Sequence, residues 1–205
     1  MFNSQIDNFQ PEQEPISEPT AEANNVTPHL HKTPCCMPSI VFLDIDGVLN
    51  CQTFYMANPP ETRGSYPLSE ICKERVQWLN ELCKDVNAKV VISSTWRIGK
   101  TVEQLEAIFN EVGATFEIID KTPSYHFKGS VRGNEIKAWL EENCKKLFDC
   151  YDRDFKRYVI IDDDSDMLLW QRNHFFQTDN YSGLTPNICY KIKMFLQGQS
   201  IRVSA

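Results

Sequence analysis

Two carboxylates, Asp44 and Asp46, stand one residue apart, directly after an apolar run and directly before Gly47. The apolar run predicts a buried strand that carries both acids to its carboxyl end, the edge of an open α/β sheet where ligands bind. Strand alternation points both side chains to one side, where they repel each other unless a cation lies between them. One carboxylate could ligate a metal and attack a phosphorus atom while the other transfers a proton.

Two further apolar runs also end in polar residues. The run 89–92 is followed by Ser93 and Ser94, and the run 158–161 is followed by the acidic stretch 162–166. Because the carboxyl ends of parallel strands meet at one edge of a sheet, these residues are expected to lie near Asp44. Three consecutive acids at such an edge favour a site for a hard cation.

These three strand ends, in this order, resemble the motifs of the haloacid dehalogenase (HAD) superfamily of phosphohydrolases. Asp44-x-Asp46-Gly47 resembles its nucleophile loop, Ser93 or Ser94 its second motif, and Asp162-Asp163 its fourth. The resemblance spans roughly residues 39–196, and LDIDGVLN, ISSTWR, RGNEI and IDDDSDM are similar to a small capless bacterial branch. The acidic pair with a downstream Trp also resembles the phosphatase half of polynucleotide kinase-phosphatases.

The resemblance implies a reaction with an aspartyl-phosphate intermediate. In it, Asp44 attacks phosphorus, and Asp46 protonates the leaving oxygen and then activates water. Mg²⁺ would be held by Asp44, by the backbone carbonyl of Asp46 and by the acidic stretch. Asp163 is expected as the direct ligand and Asp162 as a water-mediated one, with Asp166 as an alternative.

Three residues after the second strand are further candidates for substrate contact. Ser93 is expected to donate its hydroxyl to a phosphoryl oxygen, and Ser94 is its competitor because alternation lets only one of them point inward. Arg97 could line the pocket and bind substrate, or it could form only a salt bridge.

The third motif of the superfamily is a lysine before the fourth strand, and the sequence fits it poorly. Lys128 lies in a predicted loop, whereas Arg132 opens a predicted helix and could grip phosphate with two N–H groups. We favour Arg132. The poor fit also motivates an alternative in which the chain is a catalytically weak binding module.

The elements that must position these residues alternate between strands and helices, which predicts a three-layer, Rossmann-like parallel sheet with helices on both faces. The stretch 51–69 is too short and too rich in proline for a large cap domain, so a loop or small flap is expected. The predicted strands are 40–45, 89–93, 114–119, 158–162 and 175–177, and the predicted helices begin near residues 69, 101, 132, 166 and 188.

The composition of the chain is typical of a globular protein. Its 205 residues are 41% hydrophobic and 24% charged, which suits one α/β domain over 39–200 behind a disordered or loosely attached arm, 1–38. No apolar run approaches the roughly 20 residues of a membrane span, and no signal peptide is evident. The eight cysteines lack disulfide or zinc spacing, which favours reduced thiols in the cytoplasm or another reducing compartment.

The expected substrate is a phosphorylated macromolecule, because a site without a cap lies open. The net charge of −7 argues against broad nucleic-acid binding. A phosphoprotein is therefore the leading expectation, with the aromatic residues of 54–66 suited to flank a phosphotyrosine. The alternative is the 3′-phosphate of a nucleic-acid end.

Overall fold

The fold is built around a five-stranded parallel sheet. The structure is a computed structural model, and it describes residues 37–125, 129–149 and 155–198. The strands lie in the order β3-β2-β1-β4-β5, and every pairing is parallel. Their bounds are β1 Ser39–Leu43, β2 Ala88–Ile92, β3 Ile118–Lys121, β4 Tyr158–Asp162 and β5 Phe175–Gln177.

The described residues also form five α-helices and three short 3₁₀ turns. The helices are α1 Gln52–Ala57, α2 Lys73–Val86, α3 Val102–Glu111, α4 Arg132–Phe148 and α5 Pro186–Leu196, and the 3₁₀ turns are Leu68–Glu70, Thr95–Arg97 and Leu169–His174. Thr101 forms a capping box with Gln104 at the start of α3. Thr185 caps α5, whose first residue is Pro186. Side-chain caps of this kind satisfy backbone N–H groups that the first helical turn leaves unpaired.

The two faces of the sheet carry different helices, which makes three layers. On one face, Val41, Leu43, Val90 and their neighbours pack against α2, α3 and α5. On the other face, Phe42 and Ile160 pack against α4, where Trp139 meets Phe42 edge to face. Both faces of β1 and β4 are buried, as the continuous apolar runs predict. The predicted three-layer parallel architecture is confirmed, and no cap domain is evident among the described residues.

Several element boundaries differ from those predicted. The stretch expected to be a loop contains the short helix α1. The helix expected to begin at Ser69 begins at Lys73, because 68–70 forms a separate 3₁₀ turn. β3 begins at Ile118 rather than at residue 114, next to an irregularity in its pairing with β2.

Some predictions fall partly or wholly on residues that the structure does not describe. The arm 1–38 lies almost wholly outside the described residues and stays a prediction. Among the described cysteines, Cys51, Cys72, Cys83, Cys144 and Cys189 are free thiols. None of the described helices has the length and hydropathy that a membrane crossing requires.

Candidate active site

Asp44 lies immediately beyond β1, at the centre of the carboxyl edge of the sheet. Its backbone N–H donates to the carbonyl of Ile161 at 2.9 Å, so β4 fixes the position of its backbone. Asp44 is only 6% exposed to solvent. Asp44 is buried because β1 and β4 run side by side in register and both end at this point.

Asp46 lies at the surface of the same turn, and two donors hold its carboxylate. The indole Nε1–H of Trp96 donates to Oδ2 at 3.0 Å, and the side-chain amide of Asn50 donates to Oδ1 at 2.8 Å. Asn50 also accepts from the N–H of Gly47 at 3.0 Å. These bonds orient Asp46 as a candidate proton-transfer group. Asn50 is not among the residues predicted for the site, although its spacing of four residues from Asp46 within one turn is a usable signal.

Gly47 is needed where it stands. Its φ is +70°, a conformation that glycine adopts readily. A Cβ atom at this position would lie 2.3 Å from Cγ of Asp163. The turn therefore brings its backbone directly against the acidic stretch that follows β4, and Thr178 donates to the Gly47 carbonyl at 2.9 Å from the other side.

Asp44, Asp162 and Asp163 form an acidic cluster whose nearest carboxylate oxygens all lie within 4.8 Å of one another. Asp162 is 2% exposed, and its Oδ1 accepts from the N–H of Asp164 at 3.0 Å. Its Oδ2 is buried without a hydrogen-bond partner. Hard divalent cations take such carboxylate oxygens, so the cluster fits Mg²⁺.

The three carboxylates of the acidic cluster repel one another when they are ionised. Burial raises the pKa of Asp162 from 3.8 to about 8, with the neighbouring charge of Asp44 as the next cause. Burial likewise raises the pKa of Asp44 to about 6, while Arg132, the Ser94 hydroxyl and the N–H of Ile45 act in the opposite direction. The pKa of Asp163 is also raised, first by burial and then by Asp164. A bound cation would favour the ionised forms of all three.

Among the described residues, Arg132 is the positively charged side chain that faces the acidic cluster. Its guanidinium lies 3.9 Å from Oδ1 of Asp44, 3.6 Å from Oδ2 of Asp162 and 3.6 Å from Oε2 of Glu135. None of these distances is that of a close hydrogen bond, so the N–H groups keep capacity for a phosphoryl oxygen. Arg132 therefore lies next to the acidic cluster, and its role as the third-motif cation stays a prediction. Lys128, its competitor, lies outside the described residues.

The start of α4 is held in place by the stretch after β4. Asp166 accepts the N–H of Arg132 at 2.8 Å, and the buried Gln171 donates to the carbonyl of Gly133 at 2.9 Å. Asp166 therefore caps α4 and lies outside the acidic cluster, so the structure does not support it as an alternative metal ligand. Asp164 is exposed.

The structure distinguishes the two serines. The Ser94 side chain lies near enough to Asp44 to act toward lowering the pKa of that carboxyl, and its Oγ accepts from the N–H of Trp96 at 3.4 Å. Ser93 Oγ is buried and has no hydrogen-bond partner. Both residues follow Ile92, the last paired residue of β2, where strand alternation ceases to decide orientation. The proximity to Asp44 makes Ser94 our preferred candidate for the hydroxyl that meets a phosphoryl oxygen, and the choice between the two serines stays a prediction.

Arg97 lies beside Arg132 along one polar cleft but is only 2% exposed, and its role in substrate binding stays a prediction. Its guanidinium donates to the carbonyls of Ser93, Ser94, Thr122 and Pro123. It also forms a buried ion pair with Glu135 at 2.6 Å. These contacts use all five N–H groups of the side chain. Arg97 therefore ties the loops after β2 and β3 to α4, which positions Ser94 and Arg132 indirectly.

The serine assignment is testable with two matched variants. Ser94→Ala should lower kcat/KM for a phosphomonoester about 10²-fold, since it removes one donor to charge that develops on phosphoryl oxygens. Ser93→Ala should change kcat/KM less than about threefold and leave stability unchanged or slightly raised, because it removes an unsatisfied buried hydroxyl. Steady-state kinetics and thermal unfolding measure both effects. A larger loss in Ser93→Ala than in Ser94→Ala would return the phosphate contact to Ser93.

The raised pKa of Asp162 makes a second prediction, on stability. A carboxyl whose pKa is raised in the folded state binds more protons there than when unfolded, so stability without metal falls as pH rises from about 4 through about 8. Excess Mg²⁺ should remove this fall, so that the gain in Tm over EDTA is larger at pH 8 than at pH 6. Asp162→Asn should flatten the pH profile in EDTA and reduce the Mg²⁺ effect. An equal Mg²⁺ effect at both pH values in the parent would contradict the assignment.

One family model matches this region of the chain. It is described as the HAD domain in Swiss Army Knife RNA repair proteins, and it matches residues 40–188, which include every candidate site residue above. Comparisons with curated proteins and with solved structures give no match.

Proposed function

The chain belongs to the family of HAD domains found in Swiss Army Knife RNA repair proteins, and from this premise we propose that it is a Mg²⁺-dependent phosphomonoesterase. Membership of the HAD superfamily implies hydrolase chemistry of the phosphatase type. The observation that carries the finer proposal is the acidic cluster of Asp44, Asp162 and Asp163 with Arg132 beside it. This arrangement combines a nucleophile, a cation site and a donor to phosphoryl oxygens.

The proposed reaction has two displacements at phosphorus. In the first, an Oδ atom of Asp44 forms a bond to phosphorus as the ester P–O bond breaks, and Asp46 gives its proton to the departing oxygen. In the second, Asp46 takes a proton from water, whose oxygen attacks phosphorus and releases Asp44 and inorganic phosphate. Ser94 and Arg132 donate to the phosphoryl oxygens throughout.

Mg²⁺ would be held by Asp44 and Asp163 and by the backbone carbonyl of Asp46, with Asp162 acting directly or through water. When bound, it offsets the negative charge of the phosphoryl group and of the carboxylates. The Oδ2 of Asp162, which is buried without a hydrogen bond and has only Arg132 at 3.6 Å as a charged neighbour, supports this donor set, because a buried carboxylate oxygen without a hydrogen bond is costly.

For the substrate, we propose the phosphorylated end of a nucleic acid, with the 3′-phosphate of RNA as the specific case. The family description names RNA repair proteins, which supports the nucleic-acid alternative over the phosphoprotein that overall charge favours. Nothing among the comparisons supports a protein substrate. An uncapped site also suits the end of a polymer better than it suits a buried small molecule.

A substrate panel tests this assignment. Hydrolysis of a 3′-phosphorylated RNA oligonucleotide, its 5′-phosphorylated counterpart, a phosphotyrosine peptide and p-nitrophenyl phosphate would be compared with Mg²⁺ and with EDTA. We expect Mg²⁺-dependent turnover of all reactive esters and a kcat/KM for the 3′-phosphorylated RNA at least about tenfold above that for the peptide, because remote binding energy raises kcat/KM. A peptide preferred over both oligonucleotides would restore the phosphoprotein assignment.

A further inference from the structure

An aromatic pair lies next to the candidate proton-transfer group, and the reaction outlined above does not use it. We call Tyr66 and Trp96 the aromatic ledge. Their ring centroids are 5.8 Å apart with planes tilted by 44°. Trp96 is only 9% exposed, whereas Tyr66 is 69% exposed, so the ledge offers solvent one large ring supported from behind by another.

The position of the ledge follows from its contact with Asp46. The indole N–H of Trp96 donates to Oδ2 of Asp46 at 3.0 Å, which fixes the indole beside the group that protonates the leaving oxygen. In the proposed reaction, the leaving group must sit against Asp46 when the ester bond breaks. The part of the substrate that departs therefore lies on the same side of the site as the ledge.

Noncovalent contacts hold the segment that carries Tyr66. Arg63 forms an ion pair with Glu70 at 2.8 Å, and its guanidinium lies over the ring of Tyr55, 5.0 Å from the ring centroid. Phe54 meets Tyr55 edge to face. These contacts join α1 to the stretch that follows it and limit the freedom of the segment. Ordering of this kind lowers the entropy cost of binding to the ledge.

The other opening beside the site is less suited to a polyanion. A polar cleft of about 230 Å³ lies beside the site, and its lining carries three carboxylates (Glu135, Asp164 and Asp166) against two guanidinium groups (Arg97 and Arg132), so its net charge is negative. Carboxylates along this wall would repel the phosphodiesters of a nucleic acid. A strand whose terminal phosphate is in the site is therefore favoured to continue over the ledge.

We propose that Tyr66, supported by Trp96, stacks against the base of the nucleotide that carries the scissile phosphate. This proposal rests on the proposed phosphatase function and adds a substrate-binding subsite to it. Aromatic side chains bind bases of any sequence in this way, because every base has a π face. The subsite therefore selects nucleic-acid ends over other phosphomonoesters without reading sequence.

The test pairs a change in the protein with a change in the substrate. Tyr66→Ala should raise KM for a 3′-phosphorylated RNA oligonucleotide about tenfold, within the range for stacking on one aromatic side chain. Tyr66→Phe and Tyr66→Trp should stay within about twofold to threefold of the parent, since both keep a ring. An oligonucleotide whose terminal 3′-phosphate nucleotide is abasic should bind the parent as weakly as the intact oligonucleotide binds Tyr66→Ala. The two losses should not add, because each removes the same contact.

Controls separate this inference from the function on which it rests. The ratio of kcat/KM for the RNA oligonucleotide to that for glycerol 2-phosphate, a phosphomonoester whose leaving group has no ring, should fall about tenfold in Tyr66→Ala. Tyr190→Ala on α5, an exposed tyrosine outside the site, should leave this ratio unchanged. Loss of p-nitrophenyl phosphate turnover in the parent would overturn the proposed function. Turnover that persists with additive losses from Tyr66→Ala and the abasic end would overturn the stacking subsite alone. A phosphotyrosine peptide that gains the same tenfold from Tyr66 would show that the ledge binds peptide aromatics instead.

Discussion

Asp44→Asn is expected to abolish turnover, with kcat for p-nitrophenyl phosphate reduced about 10⁴-fold or more, the size of effect seen when a covalent nucleophile is removed. The amide keeps the shape of the side chain but cannot attack phosphorus. The fold should survive, because the substitution removes a buried carboxyl group whose pKa is already raised by burial. Steady-state kinetics with Mg²⁺, together with circular dichroism and Tm, would measure both parts.

Asp164→Asn is the matched control for that variant. Asp164 belongs to the same acidic stretch but is exposed, and its backbone N–H, rather than its side chain, supports Asp162. We expect it to keep kcat within about threefold of the parent, as surface substitutions away from special features do. If Asp44→Asn kept a kcat similar to that of Asp164→Asn, Asp44 would not be the nucleophile.

Arg97→Met is expected to cause the largest loss of stability, about 3–5 kcal/mol, the typical cost of removing one partner of a buried ion pair. Glu135 would be left buried with its pairing to Arg97 gone, and four carbonyls would lose their donor. Activity should also fall, since Ser94 and Arg132 depend on these contacts. Arg97→Lys should recover only part of the loss, because an ammonium cannot reproduce the planar five-donor geometry.

Urea unfolding of Arg97→Met and Lys146→Met would test this difference. Lys146 pairs with Glu142 at 3.0 Å, but both side chains are more than half exposed, so its substitution should cost less than about 1 kcal/mol. Equal midpoints for the two variants would mean that the Arg97 ion pair does not hold the site together.

The parallel sheet could be predicted because β1, β2 and β4 are buried on both faces, so their sequences are continuous apolar runs that end abruptly in polar residues. The same pattern indicated that Asp44 and the acidic stretch meet at one edge. Gly47, directly after Asp46, was also a local signal of a tight turn, and its φ is +70°. These features depend on local sequence, so they could be predicted from it.

The remaining details depend on tertiary contacts. Ser93 and Ser94 are indistinguishable by type, and their orientations are set beyond the end of β2 by the 3₁₀ turn that contains Trp96. The role of Arg97 depends on Glu135, which is 38 residues away in the sequence. The capping role of Asp166 depends on where α4 begins. None of these pairings leaves a periodic signal in one sequence.

Detection of a phosphoryl group on Asp44 would test the central proposal most directly. Asp46→Asn would be mixed with p-nitrophenyl phosphate and Mg²⁺, quenched in acid and digested for peptide mass spectrometry. The nitrophenolate leaving group does not need protonation, so the first displacement should proceed, whereas the second should stall without a base to activate water. We predict a burst of nitrophenol and a phosphorylated peptide that contains Asp44. A variant that still turns over without any adduct on Asp44, or with the adduct on another residue, would contradict the proposed mechanism.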